Sequence, residues 1–329
     1  MDILKFEDKY VPEVVSLWNA HLSSQTQYKP LTEKEFESRF LKNPNFSYDG
    51  TFVAVEDGKV IGFANGVVKK EFLPGENNEN TPGYLTMVVV DTDYRGRGYG
   101  SALLRELEGF FKKNGKTKSQ SIFFNPIKLE WYIPGTDKHD HNNSPGVDAD
   151  TPAVAFMEKN GYRILSREVS YHLDLSDFRM SERAVRKRQE LMEKSIYTGY
   201  YDPEKHFGFD ELFDDLGSED WRKGIMDNLA QDVPDPVIVA ADHGKICGFT
   251  GPIRVQESGR GFFVGIGTHS QYRGAGIMTV LFELLMDGFK NAGAKFSTLF
   301  TGIDNPARKT YERTGFKVVR NWAVMGKEI

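Results

Sequence analysis

Cysteine is nearly missing from this chain: Cys247 is the only one among 329 residues. No intrachain disulfide can form, and a reducing compartment, the cytoplasm, is the expected location. An excess of positive charge is missing as well. Lys and Arg number 42 against 47 Asp and Glu, a formal net charge of −5, which excludes the basic surface of a general nucleic-acid binder. No apolar run approaches the length of a membrane span. The opening "MDILKFEDKY" has neither the basic nor the apolar segment of a secretion signal. The expectation is a soluble protein with no nucleic-acid or membrane partner.

Several ligand signatures are missing too. Neither copy of the glycine loop has the Gly-Lys-Ser/Thr that closes a P-loop, and the first copy reads G-R-G-Y-G-S, from Gly96 to Ser101, rather than G-x-G-x-x-G. His139, Asp140 and His141 lie together on a polar stretch. Without cysteine or a second cluster they make no zinc site, so no metal is expected. "FDELFDDLGSED" is acidic but lacks the periodic D-x-D-x-D-G calcium loop, and reads as a solvated, partly helical segment.

What is present is a repeat. "DGKVIGF" (Asp57 to Phe63) is matched by "HGKICGF" (His243 to Phe249), each a Gly-Lys turn after an apolar strand, "TFVAV" and "VIVAA", and each a β-hairpin. "DTDYRGRGYGSALL" (Asp91 to Leu104) is matched by "THSQYRGAGIMTVL" (Thr268 to Leu281). "TPAVAFMEKNGY" (Thr151 to Tyr162) is matched by "NPARKTYERTGF" (Asn305 to Phe316), short helices that end at a glycine before an aromatic that opens a strand. After each glycine loop comes an amphipathic helix. Leu103, Leu104, Leu107, Phe110 and Phe111 form one apolar face, and Leu281, Leu284, Leu285 and Phe289 form the other. Gly115 and Gly293 stop these helices, and the strands "SQSIFF" and "KFSTLF" follow.

Each half therefore reads hairpin, strand, glycine loop, helix, strand, helix, strand: a mixed sheet with helices packed on it. The expected domains are 1–178 and 179–329, with a linking helix in "DLSDFRMSERAVRKRQELMEK". Arg183, Arg186, Lys187 and Arg188 are interleaved there with Glu182, Glu190 and Glu193, which reads as a solvated helix face. The first half carries an extra stretch near 126–150, rich in Gly, Asn and Ser but holding Trp131 and Tyr132. A long loop inside a compact domain is usually functional or disordered. The aromatics speak for a pocket wall, the small polar residues for mobility.

A strand that runs through a glycine turn into a helix presents free N–H groups at the positive end of the helix, where phosphate oxygens bind. The chain at this point resembles the GCN5-related N-acetyltransferases (GNAT), as a tandem pair. Their signature is Arg/Gln-x-x-Gly-x-Gly/Ala after the fourth strand. Arg95, Gly98 and Gly100 match it in full; Arg273 and Gly276 match in the second copy, where Met278 takes the final small position.

The resemblance implies an α/β fold of two tandem GNAT-like domains, each a mixed, mostly antiparallel sheet flanked by helices. It implies acetyl-CoA as cosubstrate, with the pyrophosphate on Arg95, Gly96, Arg97, Gly98, Gly100 and Ser101, and on Arg273, Gly274 and Gly276. It implies pantetheine pairing with the strand backbone at Val88 and Val90, and at Ile266 and Thr268, with Asn305 nearby. The acceptor is then a primary amine of a small molecule or peptide. Tyr311, four residues before Gly315, is the implied general acid. The first half has Met157 at that place, and Thr151 where the second has Asn305. Either the second domain is the catalyst, or the first is and draws its acid from the insertion. Neither fourth strand carries a carboxylate base; His269 is a candidate by chemistry alone. A non-catalytic acyl-CoA-binding or regulatory module is the alternative reading.

Overall fold

The computed structural model describes residues 2–23 and 27–329. Its first strands are β1 (Asp2–Lys5), β2 (Thr51–Glu56), β3 (Lys59–Val67), β4 (Gly83–Val90) and β5 (Lys118–Ser121). Three two-residue strands follow, β6 (Trp131–Tyr132), β7 (Asp140–His141) and β8 (Val147–Asp148), and then β9 (Arg163–Asp174). The helices of this stretch are α1 (Val11–Trp18), α2 (Glu33–Phe36), α3 (Tyr99–Lys113) and α4 (Ala153–Lys159). Next come α5 (Glu182–Glu193), β10 (Ile196–Tyr200), α6 (Phe209–Leu216), α7 (Glu219–Leu229), β11 (Ile238–Asp242) and β12 (Lys245–Gly251). The chain ends with β13 (Arg254–Val255), β14 (Arg260–Phe262), β15 (Gly265–Thr268), α8 (Ile277–Asn291), β16 (Phe296–Gly302), α9 (Arg308–Thr314) and β17 (Lys317–Glu328). No helix among the described residues is long and apolar enough to cross a membrane.

The chain forms two compact units. Unit 1 holds Met1–Ser170, Phe300–Ile303 and Val318–Ile329; unit 2 holds Tyr171–Leu299 and Asp304–Lys317. They are not two successive lengths of chain. A division at 178/179 assigns the last strand to the second half, whereas β17 pairs antiparallel with β5 in unit 1, from Met325↔Ser121 to Glu328↔Lys118. The reason is burial: Ala323 and Met325 lie in the same apolar cluster as Leu103, Leu107 and Phe111 of α3.

Unit 1 is a mixed sheet in the order β1-β2-β3-β4-β5-β17, with residues 163–170 of β9 beyond β17. The β2–β3 hairpin turns at Asp57 (φ 51°) and Gly58 (φ 77°), both left-handed, as a two-residue hairpin loop requires. One face carries α1 and α2 over Val53, Phe63, Met87 and Val89. The other carries α3, whose five predicted apolar residues are all buried. Phe111 lies so close to the sheet that a Cβ on Gly83 would stand 2.3 Å from its ring and one on Gly66 2.5 Å. Burying such a phenyl contributes about 2–3 kcal/mol, and those two positions must stay bare for it.

Unit 2 repeats the plan. Its four-stranded sheet runs β10-β11-β12-β15, with a hairpin turn at His243 (φ 47°) and Gly244 (φ 86°). Phe289 of α8 packs on Gly261, 2.6 Å from the place of a Cβ. Leu281, Leu285 and Phe289 are buried as predicted, while Leu284 is only half-buried and Phe282 and Met286 fill the face instead. In unit 1, one strand is shorter than its sequence suggests. β5 stops at Ser121, because the chain turns over Ile122–Asn125 ahead of Pro126, with Asn125 N–H donating to Ile122 C=O at 3.1 Å.

Trp322 of β17 is 1% exposed, donates from Nε1 to Ser170 Oγ at 2.9 Å, and meets Trp131 edge-on at 5.3 Å. Trp322→Ala should therefore cost unit 1 about 3–5 kcal/mol. Chemical denaturation followed by tryptophan fluorescence reads this directly, and an unchanged midpoint would mean that the last strand is dispensable.

Candidate active site

Where it leads into the glycine loop, the fourth strand of each unit is paired on one side only. In unit 1, β4 pairs with β3 along its length but with β5 only at Gly83↔Ser119 and Tyr84↔Gln120. A bulge at Thr86, where Asn65 faces Met87 and Gly66 faces Leu85, bends the strand just where it parts from β5. Asp91 N–H donates to Ile61 C=O at 2.9 Å. By strand alternation the N–H and C=O of Val88 and Val90 then point away from β3, to the open edge. In unit 2 the corresponding strand is broken: β14 pairs parallel with β16 and β15 pairs with β12. His269 N–H donates to Cys247 C=O at 2.9 Å, so the backbone of Ile266 and Thr268 faces the opening. These are the four strand residues named from the sequence.

Each open edge runs into the glycine loop. Arg95 Nε donates to Val90 C=O at 3.0 Å, and Arg273 Nε to Thr268 C=O at 3.4 Å. The signature arginine thus ties the loop to the end of the strand with its own side chain. Gly96 (φ 79°) and Gly98 (φ 92°) are left-handed, as are Gly274 (φ 83°) and Gly276 (φ 87°). Gly98 and Gly276 are the N-caps of α3 and α8, which leaves the first N–H groups of both helices facing outward. Ala102 is the first to bond back into α3, to Gly98 C=O at 3.0 Å. Nothing lies within 4 Å of where a Cβ on Gly96, Gly98 or Gly274 would be. Arg97 stays on its own loop, donating to Asp93 C=O at 3.0 Å and lying over the Tyr94 ring. Gly100 has a packing reason to be bare: a Cβ there would meet the Phe156 ring of α4 at 3.1 Å. Ser101 is half-buried in the first turn of α3.

The equivalent positions on the two short helices differ between the units. Tyr311 on α9 is buried against Phe282 (4.9 Å) and Tyr171 (6.1 Å), and burial pushes its phenol up to about 12. It holds its proton at any physiological pH. Tyr171, beneath it, donates to Glu312 and accepts from Arg308 Nε, both at 2.7 Å, a network that fixes the ring Tyr311 leans on. Asn305 accepts from Ala307 N–H at 2.9 Å and shapes the entry to α9. In unit 1, Met157 is buried among Leu103, Leu104 and Tyr162 and has no proton to give, while Thr151 donates to Asp148 C=O at 2.9 Å. His269 is a turn residue: its Nδ1 accepts from Gln271 N–H at 3.3 Å, and Asp215 lies 3.8 Å from its Nε2.

The insertion is packed against the rest of unit 1. β6 and β7 pair, Trp131 and His141 stack at 5.1 Å, and both are buried. Asp140 pairs with Lys29, which also meets Glu130 at 3.0 Å, so these acidic groups are used in packing. No group of three metal-ligating side chains occurs among the described residues. The insertion clasps the segment after α1: Tyr132 N–H donates to Gln27 C=O at 2.8 Å and Lys29 N–H to Glu130 C=O at 3.0 Å. Two features of this region have no motif in the sequence. His21 comes within 3.6 Å of Asp91 at the end of β4, and Asn125 donates to Thr86 at the bulge, at 3.2 Å.

A model of the acetyltransferase (GNAT) family matches residues 14–125 and again 197–316. N-alpha-acetyltransferase 30 of Schizosaccharomyces pombe is 32% identical over 103 residues, which is 30% of this chain and 69% of that protein. Among solved structures, a GCN5-related glucosamine N-acetyltransferase region of a fungal multi-domain GH3 β-N-acetylglucosaminidase aligns with a TM-score of 0.70 at 18% identity. It covers 99% of this chain and 38% of that longer one. A GCN5-related N-acetyltransferase from Sphaerobacter thermophilus aligns with a TM-score of 0.66 at 15% identity, covering 99% and 95%. At these identities both structures are likenesses of fold.

Order in the insertion rests on Asn143, which accepts from Leu129 N–H and donates to Phe123 C=O, both at 2.8 Å. Asn143→Ala should leave Leu129 N–H buried and unpaired, while Phe123 C=O keeps Lys128 Nζ at 3.0 Å, and destabilise unit 1 by about 1–3 kcal/mol. Urea unfolding tests it; a loss under about 0.5 kcal/mol would describe a loop that water already penetrates.

Proposed function

The chain belongs to the acetyltransferase (GNAT) family, and from that membership we propose that it moves an acetyl group from acetyl-CoA to a primary amine of a small molecule or peptide. The observation that carries this reading is the open strand edge that leads into a glycine loop at a helix N-terminus, made once in each unit. Such an edge offers alternating N–H and C=O groups to an amide-containing chain, as pantetheine is. The loop beyond it offers backbone N–H groups to a pyrophosphate without needing side-chain charge.

In the reaction the amine nitrogen bonds to the thioester carbon, the C–S bond breaks, and the amine loses one proton while the departing sulfur gains one. A strand N–H at the open edge stabilises the charge that builds on the carbonyl oxygen. Tyr311 is the group in unit 2 that supplies the proton to sulfur, since its buried phenol stays protonated. We assign unit 2 as the unit that carries out transfer. For unit 1 a second reading applies, because Met157 fills the acid position from within the core: it binds acyl-CoA without an acid of its own. The insertion, clasped to the segment after α1, is assigned to the acceptor side of unit 1. Cys247 is buried with its thiol pushed up to about 11, mainly by burial, so it is a core residue and not a nucleophile. One unpaired thiol suits the cytoplasm.

Gly98→Asp places a side chain and a negative charge at a left-handed position on the first loop. Calorimetry with acetyl-CoA on the intact protein should lose one site, and Gly276→Asp should remove the other. Unchanged stoichiometry in both variants would remove the phosphate assignment. Tyr311→Phe keeps the ring and deletes only the proton. Thiol release over a panel of amines should then fall roughly 10²–10³-fold in kcat with acetyl-CoA affinity preserved. Full activity in that variant would move catalysis to unit 1.

A further inference from the structure

Helix α5 precedes the second family-matched region, which begins at residue 197. Arg183 and Lys187 are four residues apart on it and so share one face. That face looks onto the N-terminal end of α8. Carbons Cδ, Cγ and Cε of Lys187 lie 2.8, 2.9 and 3.1 Å from where a Cβ on Gly276 would be. The side-chain stem therefore rests on the second glycine loop, whereas Gly98 in the first has nothing within 4 Å. The ammonium of Lys187 is held meanwhile by Glu190 on its own helix.

One turn back, Arg183 lines a cavity of about 290 Å³ together with Thr279, Glu283, Thr310 and Arg313. Gly276, Thr279 and Glu283 are successive positions along one strip of α8, so Lys187 and the cavity follow the same strip. Glu283 lines the same cavity without an ion pair to either arginine among the described residues. It is buried and accepts from Ser181 N–H (2.7 Å) and Oγ (2.9 Å), closing the N-terminus of α5. Arg183 and Arg313 form no ion pair among the described residues. Lys187, Arg183 and Arg313 thus stand along the N-terminal half of a 15-residue helix; Arg183 and Arg313 are exposed, and an anion that enters there meets two guanidinium groups and the positive end of the helix.

We propose that α5 is a phosphate clamp on the second cradle. Lys187 exchanges Glu190 for the pyrophosphate at Gly276, and Arg183 with Arg313 takes a further phosphate in the adjoining cavity, as on the 3′ position of coenzyme A. The inference rests on the acetyl-CoA reading above and adds the helix that reading does not use. An exposed lysine–glutamate pair contributes little in water, whereas an ammonium–phosphate contact beside backbone donors is charge-assisted, so the exchange runs toward the ligand.

The test is calorimetry on the full chain carrying Gly98→Asp, so that only the second cradle reports, with coenzyme A and 3′-dephospho-coenzyme A as probes. Lys187→Ala should weaken both probes about tenfold, and Lys187→Arg should restore most of the loss. Arg183→Ala should weaken coenzyme A about tenfold and leave the dephospho form unchanged. Unchanged or tighter binding in Lys187→Ala would make the lysine a plug and overturn the clamp. Equal effects of Arg183→Ala on the two probes would overturn the assignment of the cavity. If the wild type binds one equivalent and Gly98→Asp binds none, the clamp falls while the acetyl-CoA reading stands; if the wild type binds none, that reading falls itself. Should Gly98→Asp fold poorly, hydrogen exchange at the first amides of α8 replaces it, with and without coenzyme A. Protection that weakens in Lys187→Ala supports the clamp, and protection that is the same in both proteins overturns it.

Discussion

The constraint on which the rest depends is the unsatisfied edge of the fourth strand. Backbone N–H and C=O groups inside a protein must be paired, yet each unit parts its fourth strand from the next after only two paired positions. In unit 1 a bulge at Thr86 starts the parting and Asn125 braces it; in unit 2 the strand itself breaks between β14 and β15. The edge that results has a defined polarity, length and exit. It leads to a loop whose arginine returns to bind the last strand carbonyl, so the loop cannot drift from the edge it serves.

Holding such an opening requires rigidity on both sides of it. Phe111 and Phe289 provide this on the helix face, each lying on bare glycines of the sheet. In unit 1 the strand across the opening, β5, is held at its other edge by β17, the last strand described, with Trp322, Ala323 and Met325 in the core. β8 of the insertion pairs with the same strand at Asp148↔Trp322, and Arg320 meets Asp148 at 3.1 Å. Burial raises the Asp148 carboxyl and Arg320 opposes the rise, an ion pair whose breakage would leave a charge among indole rings.

The two copies share the scaffold and differ at the positions around the glycine loop. The first has the complete loop signature, an open glycine loop and a packed insertion, but a methionine where the second has a tyrosine. The second has the tyrosine, with a cationic helix lying on its cradle. The scaffold survives because it is set by backbone pairing and by apolar periodicity, which tolerate substitution at the few positions that act on a ligand.

The sequence by itself determined the repeat, the hairpins, the glycine loops and the buried faces of α3 and α8. All of these rest on local spacing: period 2 in a strand, 3.6 in a helix, and a glycine where the backbone turns left-handed. Only the tertiary structure decided that the last strand completes unit 1, that the insertion is packed, and that the stem of Lys187 covers Gly276. Alternating charges on α5 read as a solvated face, and all of them but Lys187 are exposed; periodicity shows which residues share a side of a helix and not that Gly276 stands opposite Lys187. Likewise "GTDKHDHNNSPG" looks mobile until Asn143, His141 and Asp140 are seen to be paired with Leu129, Trp131 and Lys29. Those contacts join residues far apart in the chain or across a turn, where the partner and not the local pattern decides burial.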